Sequence, residues 1–178
     1  MLNEYISEFA IAYIYYAVLF SFLTIIAVYD LKHKIIPDAL SFIFGALAFA
    51  GLFFFHNSND AIAGFYFRMP SILEFLSGVF IALPFAFFWL VSSGRWMGLG
   101  DAKLALGIGW LLGLAGALSS LVIAFWSGTV IGLILIVLSK NNKLNGLKIK
   151  MKSEIPFAPF LVLGSFLAFI FELNLFMV

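Results

Sequence analysis

The chain has 178 residues, of which 64% are hydrophobic and only 11% are charged, with a formal net charge of +1. Soluble domains carry about 25% charged residues, so this composition excludes a soluble globular domain and indicates a membrane protein. The sequence contains no cysteine, which excludes disulfides, thiolate metal sites and cysteine nucleophiles. The two histidines, His33 and His56, lie in different polar connections, so we expect no metal site and no cofactor.

Six apolar segments are long enough to cross a membrane as helices, because a span needs roughly 17 to 25 apolar residues. In chain order they cover residues 8–29, 39–55, 72–92, 102–117, 119–139 and 157–176. The fourth and fifth divide one uncharged run that is too long for a single span. Four small residues predict the turn between them: Gly113, Gly116, Ser119 and Ser120. The sequence therefore predicts an all-α membrane protein, a bundle of six transmembrane helices forming a single domain over residues 1–178.

Basic residues are concentrated in alternate connections of this six-span arrangement. The loops 30–38, 93–103 and 140–155 hold nine of the ten basic residues, and the opposite side holds only Arg68. Cytoplasmic loops of membrane proteins are enriched in Lys and Arg. We therefore expect these three loops to be cytoplasmic and both termini to lie outside, in a protein that crosses the plasma membrane several times.

Two aspartates are predicted at the cytoplasmic level of the membrane. Asp30 comes at the end of the first predicted helix, and Asp101 begins the fourth, directly after Gly98-Leu99-Gly100. Ionisable groups at membrane depth are costly and usually mark function. Each residue alone has a structural alternative, because Asp101 could cap its helix and Asp30 could be a solvated boundary residue. Two facing carboxylates that share one proton could instead act as general base and general acid toward water, as in aspartic proteases.

Three segments carry a family resemblance: DLKHKIIPD (30–38), MGLGDAKL (97–104) and IPFAPFLVLG (155–164). Together they resemble the three signatures of type IV prepilin peptidases and archaeal preflagellin peptidases, which are six-span aspartic proteases of the GxGD class. The resemblance implies that Asp30 and Asp101 are the catalytic residues. It also implies that the enzyme removes the short basic leader of pilin-like or preflagellin precursors at the cytoplasmic membrane surface.

One feature of the best-known bacterial members is missing from this sequence. Those members carry an N-terminal region with paired cysteines and also methylate the new N-terminus. This chain has no cysteine and only a few residues before its first predicted span, so it resembles the short, peptidase-only members and is expected to have no methyltransferase region. The expected partners are precursor proteins and membrane lipids, and no nucleic acid.

Residues beside the two aspartates are candidates for substrate-binding or supporting roles. They are Asp38, Gly98, Gly100, Lys103, Pro156 and Pro159. The glycines would let the backbone bend and let a substrate strand approach without meeting a Cβ. Asp38 is expected to cap the second helix, with binding of the basic leader as the alternative. Lys103 is expected to extend toward the lipid headgroups, and the two prolines to shape the start of the last helix.

Two alternatives stay open at this point. In a small transporter or channel, Asp30 and Asp101 would relay protons or bind a cation, although such a site is expected near the bilayer midplane. The second alternative concerns the loop 140–155, where lysines alternate with apolar residues in LKIKMK (147–152). This loop is interpreted as an ordinary inside-positive loop, and the alternation also allows a strand that pairs with substrate.

Overall fold

The computed structural model of the protein describes residues 2–54, 67, 69–95, 97–140 and 156–173. Within these residues all regular secondary structure is helical. The helices, in chain order, are α1 (Leu2–His33), α2 (Asp38–Gly51), α3 (Ile72–Ser92), α4 (Leu99–Lys140) and α5 (Ala158–Ile170). The predictions for His56, Arg68 and the basic loop beyond Lys140 fall outside the described residues.

Among the described residues, three helices contain stretches that are long and apolar enough to cross a membrane: Ala10–His33, Ile72–Ser92 and Leu99–Leu138, the last of which is interrupted at Gly113. α2 and α5 are apolar as well but have only 14 and 13 residues, fewer than the roughly 17 that a straight span needs. These helices end at Gly51 and Ile170, before the ends of the predicted spans 39–55 and 157–176, of which residues 55 and 174–176 lie outside the described residues. The prediction of an all-α membrane protein is confirmed, and the number of membrane crossings stays a prediction.

Apolar side chains cover the outside of the bundle as well as its core. The largest fully buried ones are Leu19, Leu23, Ile26, Phe44, Ile81, Phe85, Leu104, Ile108 and Leu161. Many other large apolar side chains are exposed on the helix surfaces, among them Phe42, Leu90 and Trp126. Exposed apolar side chains in this number suit contact with lipid.

The first part of α4 runs antiparallel to α3. The Trp110 Nε1–H donates a hydrogen bond to the carbonyl oxygen of Phe75 near the start of α3 (3.0 Å). Gly78, further along α3, faces the carbonyl oxygen of Leu106, earlier in α4. A residue that lies later in α3 therefore meets one that lies earlier in this part of α4.

α4 turns back on itself at Gly113, where the backbone leaves helical geometry (φ 68°, ψ 178°). After this residue, the Phe125 ring stacks on Phe85 in the second half of α3, with 6.4 Å between ring centroids. A straight α4 would carry Phe125 past the start of α3 and away from Phe85, so the second part of α4 must run back alongside α3. Glycine adopts this positive φ without the steric cost that a Cβ brings.

This turn corrects the predicted boundary between the fourth and fifth segments, which lay between residues 117 and 119. Gly113 makes the turn, and the other three small residues lie within the helix that follows. Ser120 packs against α5 instead, where its hydroxyl lies 3.1 Å from that of Ser165. Small residues suit a turn and a close contact between helices equally well, so their pattern could not choose between them. The two parts are called α4a (99–112) and α4b (114–140) below.

Four helix ends meet at one end of the bundle. The end of α1 contacts the start of α5 through Asp30 and Ala158, and the start of α2 contacts the start of α4a through Asp38 and Lys103. Chain segments that are far apart in the sequence, and both aspartates with them, are therefore gathered at this end.

Candidate active site

α1 carries Asp30 in its last turn, since the helix continues to His33 beyond its predicted end at residue 29. The side chain is only 5% exposed. Its Oδ2 accepts a hydrogen bond from the backbone N–H of Ala158 (3.3 Å), the first residue of α5. The first N–H groups of a helix have no partner within it, and a carboxylate there also complements the helix dipole. Asp30 is therefore a buried, hydrogen-bonded residue, and the alternative of a solvated boundary residue is wrong.

Asp101 lies in the first turn of α4a and is 9% exposed. Its backbone N–H donates a hydrogen bond to the carbonyl oxygen of Gly98 (3.2 Å), and its carboxylate lies beside Gly98. An acidic residue in the first turn of a helix occupies the position from which a capping box is made, so the capping alternative for Asp101 stays open. Capping would leave the Asp101 carboxylate free to accept further hydrogen bonds, because a carboxylate can accept about four.

The two carboxylates are close enough for their charges to repel one another. Each is buried; the backbone N–H of Ala158 holds Asp30, and Gly98 lies beside the carboxylate of Asp101. In the described part of the chain, no group of three or more acidic or histidine side chains could hold a metal ion. The arrangement brings two buried acidic side chains near each other at one end of the bundle.

Gly98 and Gly100 differ in their surroundings. Gly98 is exposed, and a Cβ there would meet only the Asp101 Oδ2 and the Gly100 nitrogen, both at 3.9 Å. A Cβ at Gly100 would lie 2.8 Å from the Cβ of Ile36 in the connection between α1 and α2. Neither glycine has the positive φ of Gly94 and Gly113, so the predicted need for backbone freedom is not what requires glycine here. Gly100 allows close packing, and Gly98 keeps space open beside Asp101.

Asp38 and Lys103 have roles that the sequence did not predict. Pro37 is the N-cap of α2, and no side chain caps that helix, so the capping prediction for Asp38 is wrong. The Asp38 carboxylate instead forms an ion pair with Lys103 Nζ (2.6 Å). The same ammonium group lies 5.3 Å from the centroid of the Phe42 ring. Lys103 is therefore turned toward α2, which corrects the prediction that it extends to the headgroups.

The segment PFAPF shapes the start of α5, as predicted, and it supplies a group that no sequence pattern indicated. Pro159 occupies the first turn of α5, where its missing N–H costs nothing. The ring of Phe157 packs against Phe125 (5.1 Å) and Phe85 (5.9 Å). Between the two prolines, the buried Ala158 presents its N–H to Asp30. A backbone donor leaves no trace in side-chain chemistry, so only the fold reveals it.

The family model for the type IV leader peptidase family matches residues 17–136 of the chain. This match covers more than half of the chain and contains both aspartates. The chain belongs to the type IV leader peptidase family. This membership confirms the resemblance to prepilin and preflagellin peptidases and indicates that the protein is a peptidase. The closing segment 155–164, with its Ala158 contact to Asp30, lies outside the matched residues. No curated protein and no solved structure matches the chain.

Proposed function

We propose that this chain is a membrane aspartic endopeptidase that removes the basic leader from pilin-like or preflagellin precursors. The observation that carries the proposal is that two buried carboxylates, Asp30 and Asp101, lie near each other at one end of the bundle. Membership of the type IV leader peptidase family supplies the reaction class, hydrolysis of a peptide bond. The pair supplies the proton acceptor and the proton donor that this reaction needs.

In the proposed reaction, one carboxylate of the pair removes a proton from a water molecule held between Asp30 and Asp101. The water oxygen attacks the carbonyl carbon of the scissile bond, while the other, protonated carboxyl gives its proton to the carbonyl oxygen. When the tetrahedral intermediate collapses, the C–N bond breaks and the first carboxyl passes its proton to the leaving amine. A hydroxyl of the intermediate returns a proton to the second carboxyl, so the pair again shares one proton and no covalent enzyme intermediate forms.

The precursor is proposed to reach Asp101 across Gly98. This residue is exposed and has no side chain, so the backbone of an extended substrate can come close to the carboxylate. The hydrogen bond from Ala158 holds the Asp30 side chain in place while the substrate binds, and the backbone bond from Asp101 to Gly98 orders the turn that carries the second acid. Preorganised acids need no rearrangement at the moment of reaction.

The site is proposed to face the cytoplasm, in a six-span protein of the plasma membrane. Lys32, Lys34 and Arg95 are exposed on segments next to the end of the bundle that holds the aspartates, and such residues favour the cytoplasmic side. A leader peptide of a newly made precursor is available on that side. The transporter alternative lacks comparable support, because the aspartates lie at one end of the bundle and the family is one of peptidases.

Membrane vesicles of opposite orientation test both the reaction and its side. We expect inside-out vesicles containing the wild-type chain to cut an added peptide that joins a basic leader to the first residues of a pilin-like segment. Right-side-out vesicles should cut it only after the membrane is permeabilised with detergent. Mass spectrometry of the products would identify a single cut at the end of the leader. Cleavage by intact right-side-out vesicles would contradict the orientation, and no cleavage under any condition would contradict the function.

A further inference from the structure

Two contacts join the chain around the start of α2 to the start of α4a, one on either side of Asp101. Gly100, just before it, lies against Ile36. Lys103, just after it, forms the 2.6 Å ion pair with Asp38. These contacts attach the segment that follows Asp30 to the segment that holds Asp101, although Asp38 and Lys103 are 65 positions apart in the sequence.

One member of the ion pair, Lys103, makes a second contact with α2. Lys103 has a side chain that is 29% exposed, and its ammonium group also lies near the face of the Phe42 ring. Asp38 is 70% exposed and begins α2 without capping it. The lysine therefore contacts two groups of α2, and both contacts link the start of α2 to α4a.

The pair also bears on the question of leader recognition. An unpaired carboxylate at this position would attract the basic residues of a leader, which was the alternative role for Asp38. The Asp38 carboxylate already has a cationic partner within the chain. A leader lysine would have to displace Lys103 from both Asp38 and Phe42 before it could bind there.

We propose that the Asp38–Lys103 ion pair is a positioning device that sets the separation of Asp30 and Asp101. This inference rests on the proposed function, since it assumes that the two aspartates form the reactive pair. The position of the ion pair explains how it could set this separation. The pair links the start of α2, which follows the segment that holds Asp30, to the start of α4a, which holds Asp101. Ala158, the first residue of α5, holds Asp30 from the other side. Asp38 and Lys103 act on the reaction through the aspartates, without touching the substrate.

Reversing the charges tests the proposal. Asp38→Lys and Lys103→Asp each place like charges together and should lower kcat by roughly tenfold to a hundredfold, because small misplacements of reacting groups are costly. KM should change little. The double variant restores an ion pair with the opposite polarity and should recover most of the lost kcat. Exposed ion pairs contribute little to global stability, so the melting temperatures of all three variants should stay close to that of the wild type.

The milder variants Asp38→Asn and Lys103→Arg keep the test decisive if a charge reversal fails to fold. Lys103→Arg should retain activity, and Asp38→Asn should lose kcat by the same factor on a precursor with a basic leader and on one whose leader is neutral. If Asp38→Asn instead raised KM only for the basic leader, Asp38 would be a recognition residue and the proposal would be wrong. A doubly reversed variant no better than the single ones would overturn it too. Failure of the wild type to cleave any precursor would reject the proposed function itself, which is a separate outcome.

Discussion

Replacing Asp101 with Asn is expected to abolish nearly all cleavage while the protein still folds. Asn has almost the same volume and caps helices about as well as Asp, so the start of α4a should keep its structure. What it cannot do is exchange a proton with water and substrate. General acid–base catalysis typically contributes about 10²–10⁴-fold, and we expect a loss of that size. Asp30→Asn should behave in the same way, because its amide oxygen can still accept from Ala158.

The variant that combines Asp30→Asn and Asp101→Asn should be hardly slower than either single variant, because residues that act as a unit do not contribute additively. Rates of precursor cleavage by purified variants provide the measurement, with thermal unfolding in the same detergent as the check on folding. Glu172→Gln is a matched control, since this exposed carboxylate follows α5 at the end remote from its Ala158 contact and should be dispensable. If Asp101→Asn processed precursor at close to the wild-type rate, the paired-acid mechanism would be wrong and a transporter role for the aspartates would become the better explanation.

Alanine at Gly98 is expected to block the reaction without disturbing the fold. Its Cβ would make only ordinary contacts within the protein, at 3.9 Å, so the melting temperature should stay close to that of the wild type. The same Cβ would occupy the space beside Asp101 that the substrate backbone is proposed to use. A displacement of the scissile bond by about 1 Å can cost roughly 10²-fold, and we expect cleavage to fall by that order.

Two other glycines separate this effect from simple crowding. Gly100→Ala would force Ile36 to move, and overpacking of this kind typically costs about 1–3 kcal/mol of stability; its melting temperature should therefore fall along with its activity. Gly45→Ala is the benign control, because a Cβ on this α2 residue meets nothing within 4 Å. Comparing melting temperature and cleavage rate across the three variants distinguishes the roles. Wild-type activity of Gly98→Ala would show that the substrate does not approach over this residue.

The sequence predicted the helical membrane class and the two acids for clear physical reasons. Long apolar runs have few structures open to them other than membrane helices, and isolated carboxylates beside such runs are conspicuous. Helix ends were predicted less well. The charged residues from Asp30 onward suggested that α1 ends there, but a helix can continue through polar residues at its end, and α1 stops only where Lys34 takes a positive φ of 55°.

The contacts that complete the site could not be predicted, because they depend on tertiary structure. Gly113 was one of four equivalent small residues until contacts with α3 and α5 distinguished the turn from the packing positions. Asp38 and Lys103 each had a reasonable local role, and only the packing of α2 beside α4a brings them together. The Ala158 N–H is a backbone group, which every residue except proline possesses. This N–H reaches Asp30 because α5 begins at Ala158, beside the end of α1.

Oxidative cross-linking tests most directly whether Asp30 and Asp101 face each other. The chain contains no cysteine, so a variant with Asp30→Cys and Asp101→Cys has no competing thiols. A second variant with Ser120→Cys and Ser165→Cys serves as the positive control, because those hydroxyls are 3.1 Å apart, and a disulfide requires Cβ atoms about 3.5–4.5 Å apart. We expect both pairs to form an intramolecular cross-link in intact membranes, by direct oxidation or through a short bifunctional thiol reagent. If the control pair cross-linked and the 30–101 pair did so under neither condition, the central claim of a paired-acid site would be contradicted.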